Sequence, residues 1–267
     1  MEGAVYCYER DGVTFYRFAG LEEHAAVNHA IFTRLGGVSE PPFAELNLGH
    51  TVGDDPAAVE ENHSRAYRVL GISGRNIVTA WLVHGRAVRV VGWEEAGQVI
   101  PRTDGLVTQT PGLVLFQRFA DCLPVLFFDP VTLAVGIAHA GWRGTLAGVT
   151  PATVAAMQSV FGSRPEDLWV GIGPGIGPCC YEVGTEVIRA VDVTFANAEA
   201  LLPRVNGAVH FDLPGANVCQ LRSMGVEHIE VAPMCTACHV DEFFSHRAEN
   251  GKTGRFGVAI GLKLDRR

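Results

Sequence analysis

Three side chains that can bind metals or do catalysis, His84, Cys122 and His139, each lie at the end of a predicted strand and before a turn-forming stretch. Two imidazoles and one thiolate form a ligand set that suits Zn²⁺, with a fourth position left open. Zinc in such a site lowers the pKa of bound water to about 7. Because their spacing matches no local zinc motif, this interpretation requires the fold to bring the three residues together.

The same residues permit a different chemistry, in which Cys122 is a nucleophile and His139 is its base. Thiolate chemistry needs a neighbour that lowers the thiol pKa, and an imidazole can do this. Asp121 would then orient the histidine, or it would only satisfy backbone groups at the end of the strand. At this level, a zinc site and a catalytic thiol are both open.

The segment CTACH at 235–239 has the Cys-x-x-Cys-His spacing of c-type haem attachment. Haem attachment of that kind belongs to exported proteins, whereas the N-terminus has no basic region followed by an apolar one. Cys235, Cys238 and His239 could instead form a redox dithiol or contribute to a second metal site. An ordinary loop with two thiols is the simplest interpretation.

The segment GIGPGIGP at 171–178 is rich in glycine but does not have the G-x-G-x-x-G spacing of a dinucleotide-binding loop. Its prolines also prevent an immediate helix. We expect this loop to bring backbone close to a site or to form a tight structural crossing. Cys179, Cys180, Tyr181 and Glu182 follow it directly.

Arginines in glycine-rich turns are the candidates for anion binding. Arg34 precedes Gly36 and Gly37, Arg143 lies in AHAGWRG, and Arg247 lies in FFSHR. A guanidinium binds phosphate oxygens with two parallel hydrogen bonds, which lysine cannot do. Asn47, in AELNLGH, is a turn residue and a candidate for an amide contact with substrate.

The elements around these residues predict an α/β (α+β) fold with mixed sheets. Apolar runs typical of strands occur at 14–18, 28–34, 76–83, 87–92, 113–119, 123–128, 132–138, 168–172 and 255–262. Asp54, Asp55 and Pro56 predict the start of a helix that ends at Gly71, because aspartate caps a helix and proline suits its first position. A second helix is expected from Thr150 to Phe161.

The chain of 267 residues is long enough for one large domain or two small ones, and no repeat or linker divides residues 1–267. Hydrophobic residues make up 48% of the chain and charged residues 19%. A net charge of −8 without blocks of like charge disfavours nucleic acid as a partner. No apolar stretch reaches about 18 residues, so we expect no membrane span. Seven cysteines and the absence of a secretory signal favour the cytoplasm; no protein partner is indicated.

Nine motifs in sequence order resemble the laccase-domain family, also called the YfiH-like or polyphenol-oxidoreductase family. They are TRLGGVS, LNLG, VHG, ADCLP, AHAGWRG, GIGPCCYEVG, CT, FFSHR and GKTGR. The likeness extends over nearly the whole chain. It implies a single four-layer α-β-β-α domain over residues 1–267, with zinc held by His84, Cys122 and His139. The family usually has glutamine two residues before its first ligand histidine, where this chain has Leu82.

The resemblance also implies an activity, because members of this family are regarded as purine nucleoside phosphorylases. The expected substrates are phosphate with adenosine, inosine, guanosine or methylthioadenosine, and a side activity would deaminate adenosine. Deamination needs a carboxylate that carries a proton, for which Glu182 and Asp121 are candidates. Some relatives have been linked to the editing of peptidoglycan precursors, so a Cys122-dependent amidase remains an alternative.

The number and spacing of the histidines test whether this chain could be a laccase, as the older family name suggests. A multicopper oxidase holds several coppers with many histidines, commonly in His-x-His pairs, whereas this chain has ten histidines and no such pair. Copper would nonetheless bind a site of one cysteine and two histidines tightly, since divalent copper is favoured over zinc by such donors. We therefore expect any copper in a purified sample to be adventitious.

Overall fold

The computed structural model describes residues 5–264, in which the chain forms fifteen β-strands and seven α-helices. The strands are β1 (Val5–Arg10), β2 (Val13–Phe18), β3 (Val27–Phe32), β4 (Ile77–Ala80), β5 (Val88–Val90), β6 (Val99–Ile100), β7 (Gly105–Thr108), β8 (Val114–Phe119), β9 (Leu123–Asp129), β10 (Ala134–Ala140), β11 (Trp169–Ile172), β12 (Arg204–Val205), β13 (Ala208–Val209), β14 (His228–Val231) and β15 (Phe256–Leu262). The helices are α1 (Ala19–Glu22), α2 (Pro56–Leu70), α3 (Trp142–Ala147), α4 (Val149–Phe161), α5 (Thr185–Thr194), α6 (Ala198–Leu201) and α7 (Leu213–Ser223). Within residues 5–264, none of these helices has the length and apolar character needed to cross a bilayer.

Two mixed sheets form the centre of the fold. The first has the strand order β1-β2-β3-β15-β8-β4-β6, and the second has the order β14-β11-β9-β10-β7-β5. Most neighbours are antiparallel, but β4 runs parallel to both β6 and β8, and β5 runs parallel to β7. A separate two-stranded hairpin is made by β12 and β13.

The two sheets pack face to face, and helices cover their outer faces. Leu126 and Phe128 of β9 belong to the core between the sheets, whereas the alternate residues Val125 and Phe127 pack with α4, α5 and α7. On the other side, Phe116 of β8 packs against α2. This alternation follows from the opposite directions of successive side chains in a strand. The predicted four-layer α-β-β-α sandwich with mixed sheets is confirmed.

The predicted boundaries of helix α2 are confirmed by its caps. The Asp55 side chain accepts a hydrogen bond from the Ala57 backbone N–H at 3.0 Å, and Pro56 occupies the first helical position. Gly71 ends the helix in the left-handed region with a φ of 67°. That conformation costs glycine little and other residues more, so the chain stops the helix there by sequence.

Three connections cross from the first sheet to the second at the same edge of the sandwich. They join β4 to β5, β6 to β7 and β8 to β9. Because β4, β6 and β8 are parallel, their ends lie at one edge. The apolar runs 76–83 and 87–92 therefore belong to different sheets, and only 77–80 and 88–90 are strand. Periodicity alone could not separate these sheets, since both runs are apolar.

Acid is expected to destabilise the fold through His29, which is buried. Its Nε2 accepts a hydrogen bond from the Phe18 backbone N–H at 2.8 Å, and burial lowers the pKa of His29 to about 3. Between pH 6.5 and 3, His29 binds a proton in the unfolded chain but not in the folded chain. The stability that is present above pH 6.5 is therefore lost as the pH falls. The loss is about 1.4 kcal/mol per pH unit for this residue.

Urea unfolding at several pH values between 6.5 and 4 measures this effect. His29→Gln should reduce the pH slope of the unfolding free energy by about 1.4 kcal/mol per unit. His228→Gln, at an exposed histidine, is the matched control and should keep the wild-type slope. An unchanged slope in His29→Gln would show that His29 is not the group that resists protonation.

Candidate metal centre and active-site cavity

The side chains of His84, Cys122 and His139 converge where the crossing connections meet. One nitrogen of each ring and the cysteine sulfur all lie within 4.8 Å of one another. His84 lies between β4 and β5, Cys122 lies between β8 and β9, and His139 is the penultimate residue of β10. The pairing of His139 with Pro124 in the ladder between β10 and β9 places it beside Cys122. The fold therefore brings together three donors that are distant in the sequence.

Gly141 is required at this point by close packing and not by its backbone angles, which are extended. A Cβ atom on Gly141 would lie 2.7 Å from the Cys122 sulfur and 3.2 Å from Cδ2 of His84. Real Cβ atoms essentially never lie within 3.0 Å of another atom, so a larger residue would displace the Cys122 sulfur and crowd the His84 ring. The glycine in AHAGWRG thus makes room for the converging donors.

Asp104 supports this centre through the hydrogen bonds that its carboxylate accepts. It is fully buried, and its Oδ1 lies 3.0 Å from Nδ1 of His139. Its carboxylate also accepts hydrogen bonds from the backbone N–H groups of Val83, His84 and Gly85. Nδ1 is thereby occupied, which leaves Nε2 of His139 to face Cys122. A carboxylate behind a histidine is the usual support of a zinc-binding imidazole.

The ionised thiol of Cys122 and the protonated ring of His139 stabilise each other. Burial opposes ionisation of Cys122, but His139 and His84 outweigh it and lower the pKa of the thiol to about 6. Burial likewise opposes protonation of His139, but Cys122 and Asp104 outweigh it and raise the pKa of His139 to about 9. The thiol therefore ionises readily, which is the state that binds a metal or acts as a nucleophile.

The residues present fit a zinc ion. Two imidazole nitrogens and one sulfur are its preferred donors, the thiol is easily ionised, and one imidazole is held in the correct orientation by Asp104. Three protein donors that border an open cavity are typical of catalytic sites, whereas structural sites use four protein donors. We therefore regard the trio as a candidate catalytic metal centre.

A cavity of about 830 Å³ opens in front of the three donors. Its volume is within the range of small-molecule sites. The lining includes all three donors together with the aromatic residues Trp81, Phe119, Trp142 and Tyr181. Trp81 is 65% exposed, which is unusual for a large aromatic residue and leaves much of its ring accessible to a flat ligand.

Four arginines line this cavity, of which Arg118 and Arg255 are half-buried. Arg118 donates to Nδ1 of His50 and to Oγ1 of Thr79, and Arg255 donates to two backbone carbonyls. Neither forms an ion pair with a carboxylate within residues 5–264. Burial lowers the pKa of both guanidiniums. Unpaired, half-buried guanidiniums in a cavity favour the binding of an anion.

Arg143 and Arg247 also line the cavity, as exposed side chains at its rim. The guanidinium of Arg143 lies 4.2 Å from the ring centre of Trp142 and 3.6 Å from a carboxylate oxygen of Glu186. Arg247 lies over the ring of Tyr181. Both residues therefore border the cavity, but their guanidiniums already contact other side chains of the protein.

The structure places the two candidate carboxylates differently. Asp121 lines the cavity, but its oxygens accept hydrogen bonds from the Thr236 and Ser245 hydroxyls and from the Arg247 backbone N–H. Its φ of 87° is in the left-handed region, and these contacts hold it there. Glu182 is exposed and is not part of the cavity lining.

Arg34 and Asn47 lie outside the cavity lining. Arg34 donates to the carbonyls of Ala44 and Val240 and pairs with Glu249. Asn47 is fully buried and accepts hydrogen bonds from the backbone N–H groups of Gly49 and Arg255. Both side chains are thus occupied in holding loops together. Leu82, in place of the usual glutamine, lines the cavity and packs against the core between the sheets.

The family model described as multi-copper polyphenol oxidoreductase laccase matches residues 28–263. The chain belongs to this family. Its relatives include the purine nucleoside phosphorylase YlmD of Geobacillus stearothermophilus, at 38% identity over 91% of this chain and 93% of the relative. Another relative is the purine nucleoside phosphorylase YfiH of Escherichia coli, at 39% identity over 86% and 91% of the two chains.

Solved structures of family members have the same fold. The crystal structure of YlmD from G. stearothermophilus matches over 96% of this chain and 98% of the YlmD chain, with a TM-score of 0.90 and 37% identity. The crystal structure of the hypothetical protein YfiH from Bacillus licheniformis gives the same coverage, with a TM-score of 0.89 and 34% identity.

Within residues 5–264 of the present chain, only two groups of three or more metal-binding side chains are close enough to share an ion.

Proposed function

We propose that this protein is a zinc-dependent purine nucleoside phosphorylase that acts in the cytoplasm on adenosine, inosine, guanosine and methylthioadenosine. The observation that carries the proposal is one cavity in which soft metal donors face half-buried arginines without carboxylate partners. The names of its relatives support the same activity. The reaction would form a bond between a phosphate oxygen and C1′ of the sugar while the bond from C1′ to the purine nitrogen breaks.

The arginines of the cavity would place and stabilise the phosphate. Arg118 and Arg255 would bind the anion by charge-assisted hydrogen bonds, and Arg143 and Arg247 would close the rim. Trp81 would stack on the purine, as an exposed ring can. Zinc bound to the trio would supply a Lewis acid and lower the pKa of a water ligand. Asp104 would keep His139 in the orientation that such a ligand needs.

We include deamination of adenosine as a side activity. It needs a group that carries a proton, and Asp121 is the carboxylate that lines the cavity among residues 5–264. Because three donors already occupy its oxygens, Asp121 would carry protons poorly. Release of ammonia from adenosine should therefore be slower than phosphorolysis, and a colorimetric ammonia assay beside chromatography of adenine compares the two rates.

The direct test is chromatography of inosine and adenosine incubated with the purified protein, with and without phosphate. Phosphorolysis predicts hypoxanthine from inosine only when phosphate is present, with ribose 1-phosphate in equal amount. Base release without phosphate would indicate hydrolysis instead. No turnover of either nucleoside under both conditions would overturn the proposal.

Arg118→Gln is expected to raise the KM for phosphate by roughly 10- to 100-fold, because one or two charge-assisted hydrogen bonds are lost. The KM for inosine should change by less than about threefold. Arg143→Ala should have a smaller effect, since this exposed guanidinium already pairs with Glu186. Initial-rate kinetics with each substrate varied in turn measure the split.

Arg164→Gln is the control for Arg118→Gln, because Arg164 lies outside the cavity and pairs with Asp167 on the surface. Its kinetic constants should match those of the wild type. If Arg118→Gln raised the KM for phosphate and for inosine equally, the half-buried arginine would not be part of a phosphate subsite.

A second candidate function is a Cys-dependent amidase that acts on a peptide-bearing cell-wall precursor. The observation that favours it is the alignment of Cys122, His139 and Asp104 as thiol, imidazole and carboxylate, with the thiol pKa at about 6. This candidate predicts that an electrophile traps Cys122 covalently and that activity survives removal of metal. The phosphorylase proposal predicts loss of activity on chelation.

A further inference from the structure

Four cysteines form a second cluster, apart from the trio at the cavity. Cys179 and Cys180 follow strand β11, and Cys235 and Cys238 follow strand β14. Because β11 and β14 are parallel neighbours, the segments that leave them run side by side. Hydrogen bonds from Thr236 N–H to the Gly175 carbonyl at 3.0 Å and from Gly177 N–H to the Cys235 sulfur at 3.2 Å join the two segments.

The four sulfurs of this cluster have the arrangement of a closed metal site. All of them lie within 4.8 Å of one another. The Cys238 sulfur is 3.5 Å from that of Cys179 and 3.3 Å from that of Cys180. In a tetrahedral site with zinc–sulfur bonds of about 2.3 Å, the sulfurs are roughly 3.8 Å apart. The spacing Cys235-x-x-Cys238 is also typical of zinc ligands.

We propose that Cys179, Cys180, Cys235 and Cys238 bind one structural Zn²⁺ ion, distinct from the ion of the cavity. Four thiolates in a tetrahedral arrangement select zinc or iron–sulfur chemistry, and a set of four protein donors leaves no open position for a substrate. His139 and His84 are not part of this group. His239 is also outside the group, and its Nδ1 lies 3.0 Å from the Cys235 carbonyl oxygen.

A disulfide is the main rival for these cysteines. The structure favours no single pair, because Cys238 is almost equally close to Cys179 and to Cys180. One disulfide would also leave two thiols of the cluster without a partner, whereas one cation can bind all four sulfurs. The seven cysteines are all free in the structure. The reducing compartment proposed above favours thiolates over disulfides as well.

The proposed ion would fix one wall of the active-site cavity. Ile176 and Tyr181, on the first segment, line the cavity. Thr236, on the second segment, donates to Asp121, and Arg247 donates to the Cys180 carbonyl and lies over Tyr181. Joining both segments through one ion would hold these contacts in place. The ion would therefore act on substrate binding through the cavity wall and take no part in the chemistry.

Metal analysis of the full chain purified under reducing conditions tests the proposal. In a Cys122→Ser background, which disables the first site, we expect about one zinc per chain. Adding Cys238→Ser should reduce this to about zero, whereas adding Cys7→Ser, at an exposed cysteine outside both clusters, should leave it unchanged. Cys238→His should restore binding, since three cysteines and one histidine also hold zinc.

Cobalt in place of zinc provides a readout that does not depend on folding of the Cys238 variants. Cys122→Ser loaded with Co²⁺ should show strong thiolate-to-cobalt charge-transfer absorption, because four thiolates remain as ligands. Absence of that absorption, or the same zinc content with and without Cys238→Ser, would overturn the proposal. A loss of two mass units that reduction reverses, showing a disulfide among the four, would do so as well. Base release with and without phosphate is measured separately, in protein with Cys122 unchanged, so this proposal and the proposed function can fail independently.

Discussion

Replacing His84 with alanine is expected to remove the metal from the cavity and to lower phosphorolysis on the order of 10²–10³-fold. His84 supplies one of the three converging donors, and its position on an exposed loop means that the substitution costs little packing. The lost stabilisation is the several kcal/mol that a Lewis acid contributes. Zinc content and kcat/KM for inosine with saturating phosphate measure the two losses together.

The same variant separates the two candidate functions. His84→Ala leaves Cys122, His139 and Asp104 in place, so a thiol-dependent amidase would keep its nucleophile and base. His246→Ala removes another exposed histidine of the cavity that is not in the metal-binding group, and it should keep wild-type zinc. Full activity and full zinc content in His84→Ala would contradict the metal centre.

Asp104→Asn is expected to weaken zinc binding by about 10- to 100-fold, because it removes the charged acceptor behind His139. It should also lower the free energy of unfolding by about 3 kcal/mol. Asp104 accepts hydrogen bonds from three backbone N–H groups, and the amide of asparagine would turn a donor toward at least one of them. Competition with a chelator gives the zinc affinity, and urea unfolding of the metal-free protein gives the stability.

Asp129→Asn is the matched control for Asp104→Asn. Asp129 is equally buried and accepts hydrogen bonds from the Val131 and Thr132 backbone N–H groups, but it lies at the opposite end of β9 from Cys122. It should therefore lose stability and keep zinc affinity. If both variants lost affinity to the same extent, the effect of Asp104 would be one of general stability and not of support for His139.

The convergence of His84, Cys122 and His139 could be predicted from the sequence because each of them lies at the end of an apolar run. A polar residue where a buried strand meets a turn is visible in the residue pattern, and His84, Cys122 and His139 all have that position. Asp104 had no such signal. It lies between Thr103 and Gly105, where an aspartate is typical of a turn, and only the packed structure shows its contact with His139.

The arginines show where sequence patterns are insufficient. Arg34 lies in a glycine-rich turn, as an anion-binding residue often does, yet the folded chain uses it to hold two loops. Arg118 lies inside the apolar strand β8, where a charged residue gives no indication that the strand face borders a cavity. Which strand ends and faces meet is set by sheet order, and sheet order is not encoded in local periodicity.

The cysteines give an intermediate case. The spacing of Cys235 and Cys238 permits a metal site, a redox dithiol or haem attachment, but from the sequence alone an ordinary loop with two thiols is the simplest interpretation. The missing information was that Cys179 and Cys180 follow a strand parallel to β14. Only that pairing makes two cysteines into a group of four.

An anomalous difference map at the zinc absorption edge, from crystals of the protein as purified, tests the metal centre most directly. We predict a peak about 2.0–2.3 Å from one ring nitrogen of His84, one of His139 and the sulfur of Cys122. A map without a peak at those three atoms, from crystals of as-purified protein that cleaves inosine with phosphate, would contradict the account.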